Sequence, residues 1–205
     1  MELEGKGLDD QRDIIRVPCD NPDTMNRVFA IRYAGREELL FQAGLPDGLR
    51  KKLAKIPTNA FFSDPKRILA VLAEQAPSEE YFIGKSYTFP ENLCAAMYPR
   101  AVPLADVKPD FDPAKGAGFA VIEEGQVVST CESARESAAA GEAWVQTLES
   151  YRRRGYARQA TLAWAHHLQQ QGKVPFYSHL WTNLASQSLA ESMGLIQFLE
   201  AAGYA

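Results

Sequence analysis

The segment Thr-Leu-Glu-Ser-Tyr-Arg-Arg-Arg-Gly-Tyr-Ala-Arg, residues 147–158, combines several features that favour binding of a diphosphate. It leaves an apolar strand pattern through a turn of small residues and enters an alanine-rich helix pattern. The start of a helix presents backbone N–H groups without intrahelical acceptors, together with the positive end of the helix dipole. The turn also carries a cluster of arginines, Arg152, Arg153, Arg154 and Arg158. We therefore expect an anion to bind here.

Two small residues in this turn have separate expected roles. Gly155 lets the backbone approach a phosphate closely, and Ala157 lets the helix start lie beside it without an intervening side chain. The four arginine side chains leave the helix start in different directions, so only one or two are expected to reach the same anion. Taken alone, the same residues also fit a solvated basic loop, so the choice between these two interpretations depends on the surrounding elements.

The elements around the turn are predicted from periodicity and from turn residues. A hairpin is expected over 118–131 with its turn at Gly125, and small residues at 133–141 form a connection to a strand at 143–148. The pattern then predicts a helix over 156–171, a strand over 174–180, a helix capped by Asn183 and closed by Gly194, and a short strand over 195–199. Before residue 118 it predicts a hairpin at 27–41, helices at 45–56 and 63–76, and a proline-punctuated connection.

Residues 152–157 fit the pattern Gln/Arg-x-x-Gly-x-Gly/Ala with which GCN5-related N-acetyltransferases (GNAT) bind the pyrophosphate of acetyl-CoA, and the chain resembles that family. The order hairpin, strand, turn, helix, strand, helix, strand is also the order of the family core. The resemblance implies an α+β (mixed α/β) fold. In this GNAT acyl-CoA N-acyltransferase fold, a central mixed, mostly antiparallel sheet with splayed fourth and fifth strands is flanked by helices.

The resemblance also implies a division of the chain. Residues 1–25 are expected to be a mobile lead-in, 26–117 a hairpin-and-helix region on the acceptor side, and 118–205 the acetyl-CoA-binding core. The last two are expected to form one compact unit.

The resemblance implies acetyl-CoA as the cosubstrate. It also assigns cofactor-binding roles to three segments. The turn residues Arg152, Arg153, Arg154, Gly155, Tyr156, Ala157 and Arg158 would hold the pyrophosphate, mostly through backbone amides. The strand Val145-Gln146-Thr147 would pair with the pantetheine arm as though the arm were an added strand. Asn183 and Ser186 match the family segment whose asparagine binds that arm. The alternatives are an ordinary central strand at 145–147, which is compatible with binding the arm, and a helix N-cap at Asn183. Trp144 is expected to lie in the core.

The sequence departs from the family pattern at the catalytic positions. Ala190 stands where many relatives carry a tyrosine that protonates the leaving thiolate, and alanine has no proton to give. Gln146 stands where an acid often acts as general base, and a carboxamide accepts no proton at neutral pH, although it can bond an amine or a carbonyl. Glu142 and His179 are the nearest titratable candidates, although a histidine on a strand is also commonly packed and hydrogen-bonded.

The resemblance implies an N-acetyltransferase that moves an acetyl group directly to a primary amine of a small molecule or peptide. The alternative is a non-catalytic CoA-binding regulatory or sensory module, which Ala190 and Gln146 motivate. Cys131 as an acyl carrier is a further possibility left open. A nucleotide hydrolase is disfavoured because the sequence contains no Gly-x-x-x-x-Gly-Lys-Ser/Thr loop.

Composition limits the remaining classes. The 205 residues are 46% hydrophobic and 23% charged, and no apolar run approaches the roughly 20 residues that span a bilayer. The acidic beginning of the chain lacks an apolar signal core, so we expect a cytoplasmic protein without a membrane partner. The net charge of −4 gives no reason to expect nucleic acid. Three widely separated cysteines predict reduced thiols and no metal site. A monomer or homodimer is expected.

Overall fold

The computed structural model describes residues 7–8, 14–16, 26–108, 110–112 and 116–205, so the predicted lead-in lies largely outside the described residues. The strands are Gly7–Leu8 (β1), Ile14–Arg16 (β2), Val28–Tyr33 (β3), Arg36–Phe41 (β4), Tyr81–Thr88 (β5), Ala101–Pro103 (β6), Gly118–Glu123 (β7), Gln126–Glu136 (β8), Ala140–Thr147 (β9), Val174–Leu180 (β10) and Ile196–Tyr204 (β11). The α-helices are Asp47–Ala54 (α1), Thr58–Ser63 (α2), Pro65–Leu72 (α3), Tyr156–Gln170 (α4) and Leu184–Ser192 (α5). None of the described helices has the length and apolar character needed to cross a bilayer.

The chain separates into two compact units. The first contains the residues up to Lys85 together with Phe198–Ala205, and the second is Ser86–Gln197. The boundaries fall inside β5 and β11, so these two strands contribute residues to both units. The predicted role of residues 26–117 as an acceptor-side region stays a prediction.

The first unit is built on strands in the order β4-β3-β11-β5. The predicted hairpin is confirmed as the antiparallel pair β3 and β4, and β11 pairs antiparallel with β3 from Leu199↔Tyr33 to Tyr204↔Val28. Leu53 of α1, Phe61 of α2 and Ile68 of α3 are buried in one hydrophobic cluster with residues of these strands. The last strand is five residues longer than the predicted end at residue 199, because its pairing with β3 continues through a run of small residues.

The second unit contains strands in the order β5-β10-β9-β8-β7-β6. Strands β6 to β9 are joined antiparallel, whereas β10 is parallel to β9. The parallel pairing covers only three positions and ends at Phe176↔Glu142, after which β9 and β10 diverge. The mixed, mostly antiparallel sheet with splayed strands is therefore confirmed.

The predicted connection at 133–141 is wrong, because most of it is strand. β8 continues to Glu136 through a bulge between Ser133 and Arg135, and β9 already begins at Ala140. Glu136 accepts hydrogen bonds from Ser133, Lys173 and the Ala117 backbone, and these bonds hold the strand ends together.

Helix α4 is fixed directly against the strand that precedes it. Trp164 and Leu168 are completely buried, and a Cβ added at Gly141 of β9 would lie 2.6 Å from Leu168 Cδ1 and 3.4 Å from Trp164 Cζ2. The Trp164 indole N–H also donates to Ser133 Oγ of β8 at 2.9 Å. This close packing holds the body of α4 against β8 and β9, and the short turn after Thr147 brings its first residues close to the end of β9.

Candidate active site

The turn between β9 and α4 has the backbone geometry of an anion site. A 3-10 turn at Glu149–Tyr151 follows the strand, and then Arg153 (φ 58°) and Gly155 (φ 80°) take the left-handed conformation. The backbone N–H groups of residues 153–158 have no hydrogen-bond acceptor in the part of the chain that the structure describes. Successive amides in such a turn form a concave donor surface, and the helix dipole adds positive potential there. A non-glycine residue held left-handed costs of order 1 kcal/mol, a strain that is common at ligand-binding turns.

The four arginines of the turn are not equivalent. Arg158 donates from Nε to the Ser192 carbonyl at 3.1 Å and so joins α4 to the end of α5. Arg154 lies over the Tyr151 ring at 5.1 Å, and Arg152 Nε is 3.4 Å from the Thr147 carbonyl. The side chains of residues 152–154 are all exposed. Three of the four therefore contact neighbours, and positive charge remains at the rim of the turn.

Strand β9 presents free backbone at the gap opened by the splay. Leu148 donates its N–H to the Val128 carbonyl at 2.9 Å, and bonded residues alternate along an antiparallel ladder. Gln146 and Leu148 therefore direct their backbone groups at β8, whereas Val145 and Thr147 direct theirs away from it. Because pairing with β10 has ended at Glu142, the backbone N–H and C=O of Val145 face the gap between β9 and β10.

Asn183 is an N-cap, as one of the two sequence interpretations predicts. Its Oδ1 accepts the Ser186 backbone N–H at 3.0 Å, and this bond caps α5. The side-chain Nδ2 has no acceptor among the described residues, so a donor remains available for a ligand. Burial raises the pKa of Tyr177, and a hydrogen bond with the Ser186 side chain opposes that shift. Capping and ligand binding by Asn183 are thus compatible.

Glu142 lies in an ion pair. The residue is 9% exposed. Its carboxylate accepts two hydrogen bonds from the Arg135 guanidinium, one of them from Nε at 2.8 Å, and a third from the Ser178 hydroxyl. Position 142 is paired with position 176, so Glu142 shares a face of the sheet with Ser178 and with Trp144 and Gln146 further along β9.

His179 faces the opposite side of the sheet. Its Nδ1 is 2.8 Å from the Leu180 carbonyl, and because a carbonyl only accepts, Nδ1 carries the proton. The Nε2 lone pair then accepts from the Tyr87 hydroxyl at 3.2 Å, and the two rings stack with centroids 5.3 Å apart. Glu142 and His179 therefore do not converge on one point.

The remaining sequence candidates separate clearly by burial. The expectation that Trp144 lies in the core is wrong: the residue is 56% exposed on the same face as the exposed Gln146, because no described element covers that part of β9. Ala190 is buried in the core. Cys131 is completely buried and burial raises the pKa of its thiol, so it is not accessible as an acyl carrier. Among the described residues, no group of three or more His, Cys, Asp or Glu is placed to hold a metal ion.

Sequence reasoning misses the partners of Glu142 and the exposure of Trp144. Arg135 and Ser178 come from different strands, so no local motif joins them to Glu142. The alternation of side chains along β9 predicts that residues 142, 144 and 146 share one face of the sheet. It does not predict which face is covered by other elements.

Comparison with known proteins gives independent information. Residues 107–201 match the model of the GNAT acetyltransferase family. No curated protein sequence matches the chain significantly.

Among solved structures, the fold is similar to that of a GCN5-related N-acetyltransferase-like protein from Streptococcus suis, with a TM-score of 0.51, 18% identity and coverage of 85% of this chain and 83% of that one. A Drosophila protein has a TM-score of 0.50 at 12% identity, over 88% and 75% of the two chains. A GNAT-family protein from Novosphingobium aromaticivorans has a TM-score of 0.49 at 16% identity, over 61% of this chain and 64% of its own. The chain thus spans slightly less than two thirds of that last protein.

The motif, the order of elements and the splayed strands agree with the family match. The family transfers acyl groups from acyl-CoA. The resemblance drawn from Gly155 and Asn183 is confirmed over residues 107–201, the segment that matches the GNAT acetyltransferase family.

Proposed function

We propose that the protein transfers an acetyl group from acetyl-CoA directly to a primary amine of a small molecule or peptide. The observation that carries this proposal is the row of free backbone N–H groups at residues 153–158, immediately after a strand whose edge is open at Val145. A diphosphate suits the turn, and an extended arm with amide groups suits the open edge. An acyl-CoA contains both parts in that order.

Acetyl-CoA would supply an activated thioester acyl group when bound. The turn residues would orient it through backbone donors, and the N–H of Val145 would polarise the thioester carbonyl from the open edge of β9. Gln146 would hold the acceptor amine through its carboxamide on the exposed face. Of the two titratable candidates, Glu142 lies on that face, and we assign it to receive the amine proton through water. As the C–N bond forms, the C–S bond of the thioester breaks, and the departing CoA thiolate takes a proton from solvent. His179 would position β10 through its bond to Tyr87.

Release of free thiol from acetyl-CoA in the presence of a broad panel of primary amines tests this proposal. We expect at least one amine to produce release above the rate of hydrolysis. Tight CoA binding without release on any amine would instead favour a non-catalytic CoA-binding module, which the buried Ala190 and the carboxamide at Gln146 motivate. No CoA binding at all would contradict both.

Replacing Asn183 with serine separates its two roles, because serine keeps the N-cap but removes the Nδ2 donor. We expect the KM for acetyl-CoA to rise about 5- to 10-fold, the effect of losing one hydrogen bond of about 1 kcal/mol. The thermal midpoint of unfolding should stay close to that of the wild type. Asn183→Ala is the comparison, since it loses the cap as well. An unchanged KM in Asn183→Ser would leave Asn183 with capping alone.

A further inference from the structure

Tyr156, the first residue of α4, is joined by its side chain to two segments that sequence reasoning does not connect with the turn. It is 7% exposed, and its hydroxyl donates to Glu123 Oε2, at the end of β7, at 2.7 Å. The Arg100 guanidinium lies 2.5 Å from the same carboxylate oxygen and 5.4 Å from the centre of the Tyr156 ring. The Arg100 backbone N–H also donates to Gln159 Oε1, one turn along α4, at 3.1 Å.

These contacts fix the first turn of the helix in rotation as well as in position. Packing of Trp164 and Leu168 on β9 fixes the body of α4, but these residues lie two turns or more from the helix start. The Glu123 carboxylate accepts from Tyr156 and pairs with Arg100, so it joins the helix start to β7 and to the residues before β6. Its side chain is 24% exposed, which limits competition from water.

We propose that Tyr156, Glu123 and Arg100 form a positioning network that aims the free N–H groups of the turn at the diphosphate. This inference rests on the proposed function, because it presupposes an acyl-CoA at the turn. The three side chains act through the backbone of residues 155–158 and do not themselves contact the ligand. Hydrogen bonds weaken steeply with misalignment, so a small rotation of the first turn weakens several donors together.

Tyr156→Phe tests the network because it removes only the hydroxyl and keeps the ring against Tyr151 and Arg100. We expect the Kd for CoA, measured by calorimetry, and the KM for acetyl-CoA both to rise about 5- to 10-fold, with kcat within twofold of the wild type. Glu123→Gln should weaken binding similarly, and the double variant should be little worse than either single one, since the residues act as one unit.

Tyr98→Phe is the matched control. The Tyr98 hydroxyl is also hydrogen-bonded to α4, at His166 Nδ1, but ten residues from the helix start. It should change thermal stability about as much as Tyr156→Phe and leave the Kd for CoA unchanged. A wild-type Kd in Tyr156→Phe, or an equal loss of affinity in Tyr98→Phe, would overturn the positioning network but leave the proposed function standing. A wild-type protein that binds no CoA would overturn the proposed function together with it.

Discussion

Replacing Gly155 with valine lowers the affinity for CoA at least 100-fold, about 3 kcal/mol, while the protein still folds. Gly155 has a φ of 80°, which a β-branched residue adopts only at high cost. An added Cβ would meet no atom within 4 Å, so the effect does not come from a clash inside the protein. The turn has to relax instead, and the N–H groups of residues 153–158 then lose their common direction. Calorimetric titration with CoA measures the loss.

Gly172 provides the control at the other end of the same helix. Its φ is 73°, and a Cβ added there also meets nothing within 4 Å. Gly172→Val should therefore lower the free energy of unfolding by about 1–2 kcal/mol, as much as Gly155→Val does, yet leave the Kd for CoA unchanged. Gly155→Asn should keep more affinity than Gly155→Val, because asparagine tolerates the left-handed region. Wild-type affinity in Gly155→Val would remove the turn from the binding site.

Replacing Val145 with proline lowers kcat/KM for acetyl-CoA by about 100-fold or more, because it removes the backbone donor that we assign to the thioester carbonyl. Loss of a single such donor costs about 10²- to 10³-fold in related chemistry. Proline is tolerated where the N–H of a strand faces away from its ladder partner, as the N–H of Val145 does.

Val145→Ala is the matched variant, since it loses side-chain packing but keeps the N–H. Its kcat/KM should stay within about threefold of the wild-type value, an effect below 1 kcal/mol. Circular dichroism and thermal unfolding establish that both variants are folded. Equal kcat/KM values in folded Val145→Pro and Val145→Ala would contradict a catalytic role for this backbone group.

Helix α4 and strand β10, which follow the turn after β9, are the elements that the sequence predicts best. Helix α4 is expected over 156–171 and found over 156–170, because an alanine-rich amphipathic run ends at Gly172, which supplies a left-handed residue. Strand β10 is found at the predicted residues, between the helix-ending Gly172 and the cap of α5. In both cases local propensity and tertiary packing favour the same conformation.

The parts that the sequence does not predict depend on contacts between distant segments. Helix α2 has only six residues between Pro57 and Pro65, too few for a periodic pattern, and it is stabilised by burial of Phe61 and Phe62. The exposure of Trp144 depends on which face of β9 is covered, and periodicity cannot give this. The bond from Tyr156 to Glu123 joins residues 33 positions apart and has no local signature.

The structure of the protein in complex with CoA, determined by crystallography, tests the central claim most directly. We predict that the diphosphate oxygens lie about 3 Å from backbone nitrogens of residues 153–158, that the pantetheine arm lies along the open edge of β9, and that the thioester carbonyl accepts from the Val145 N–H. A diphosphate bound elsewhere on the protein, with these N–H groups left without a ligand, would contradict the account.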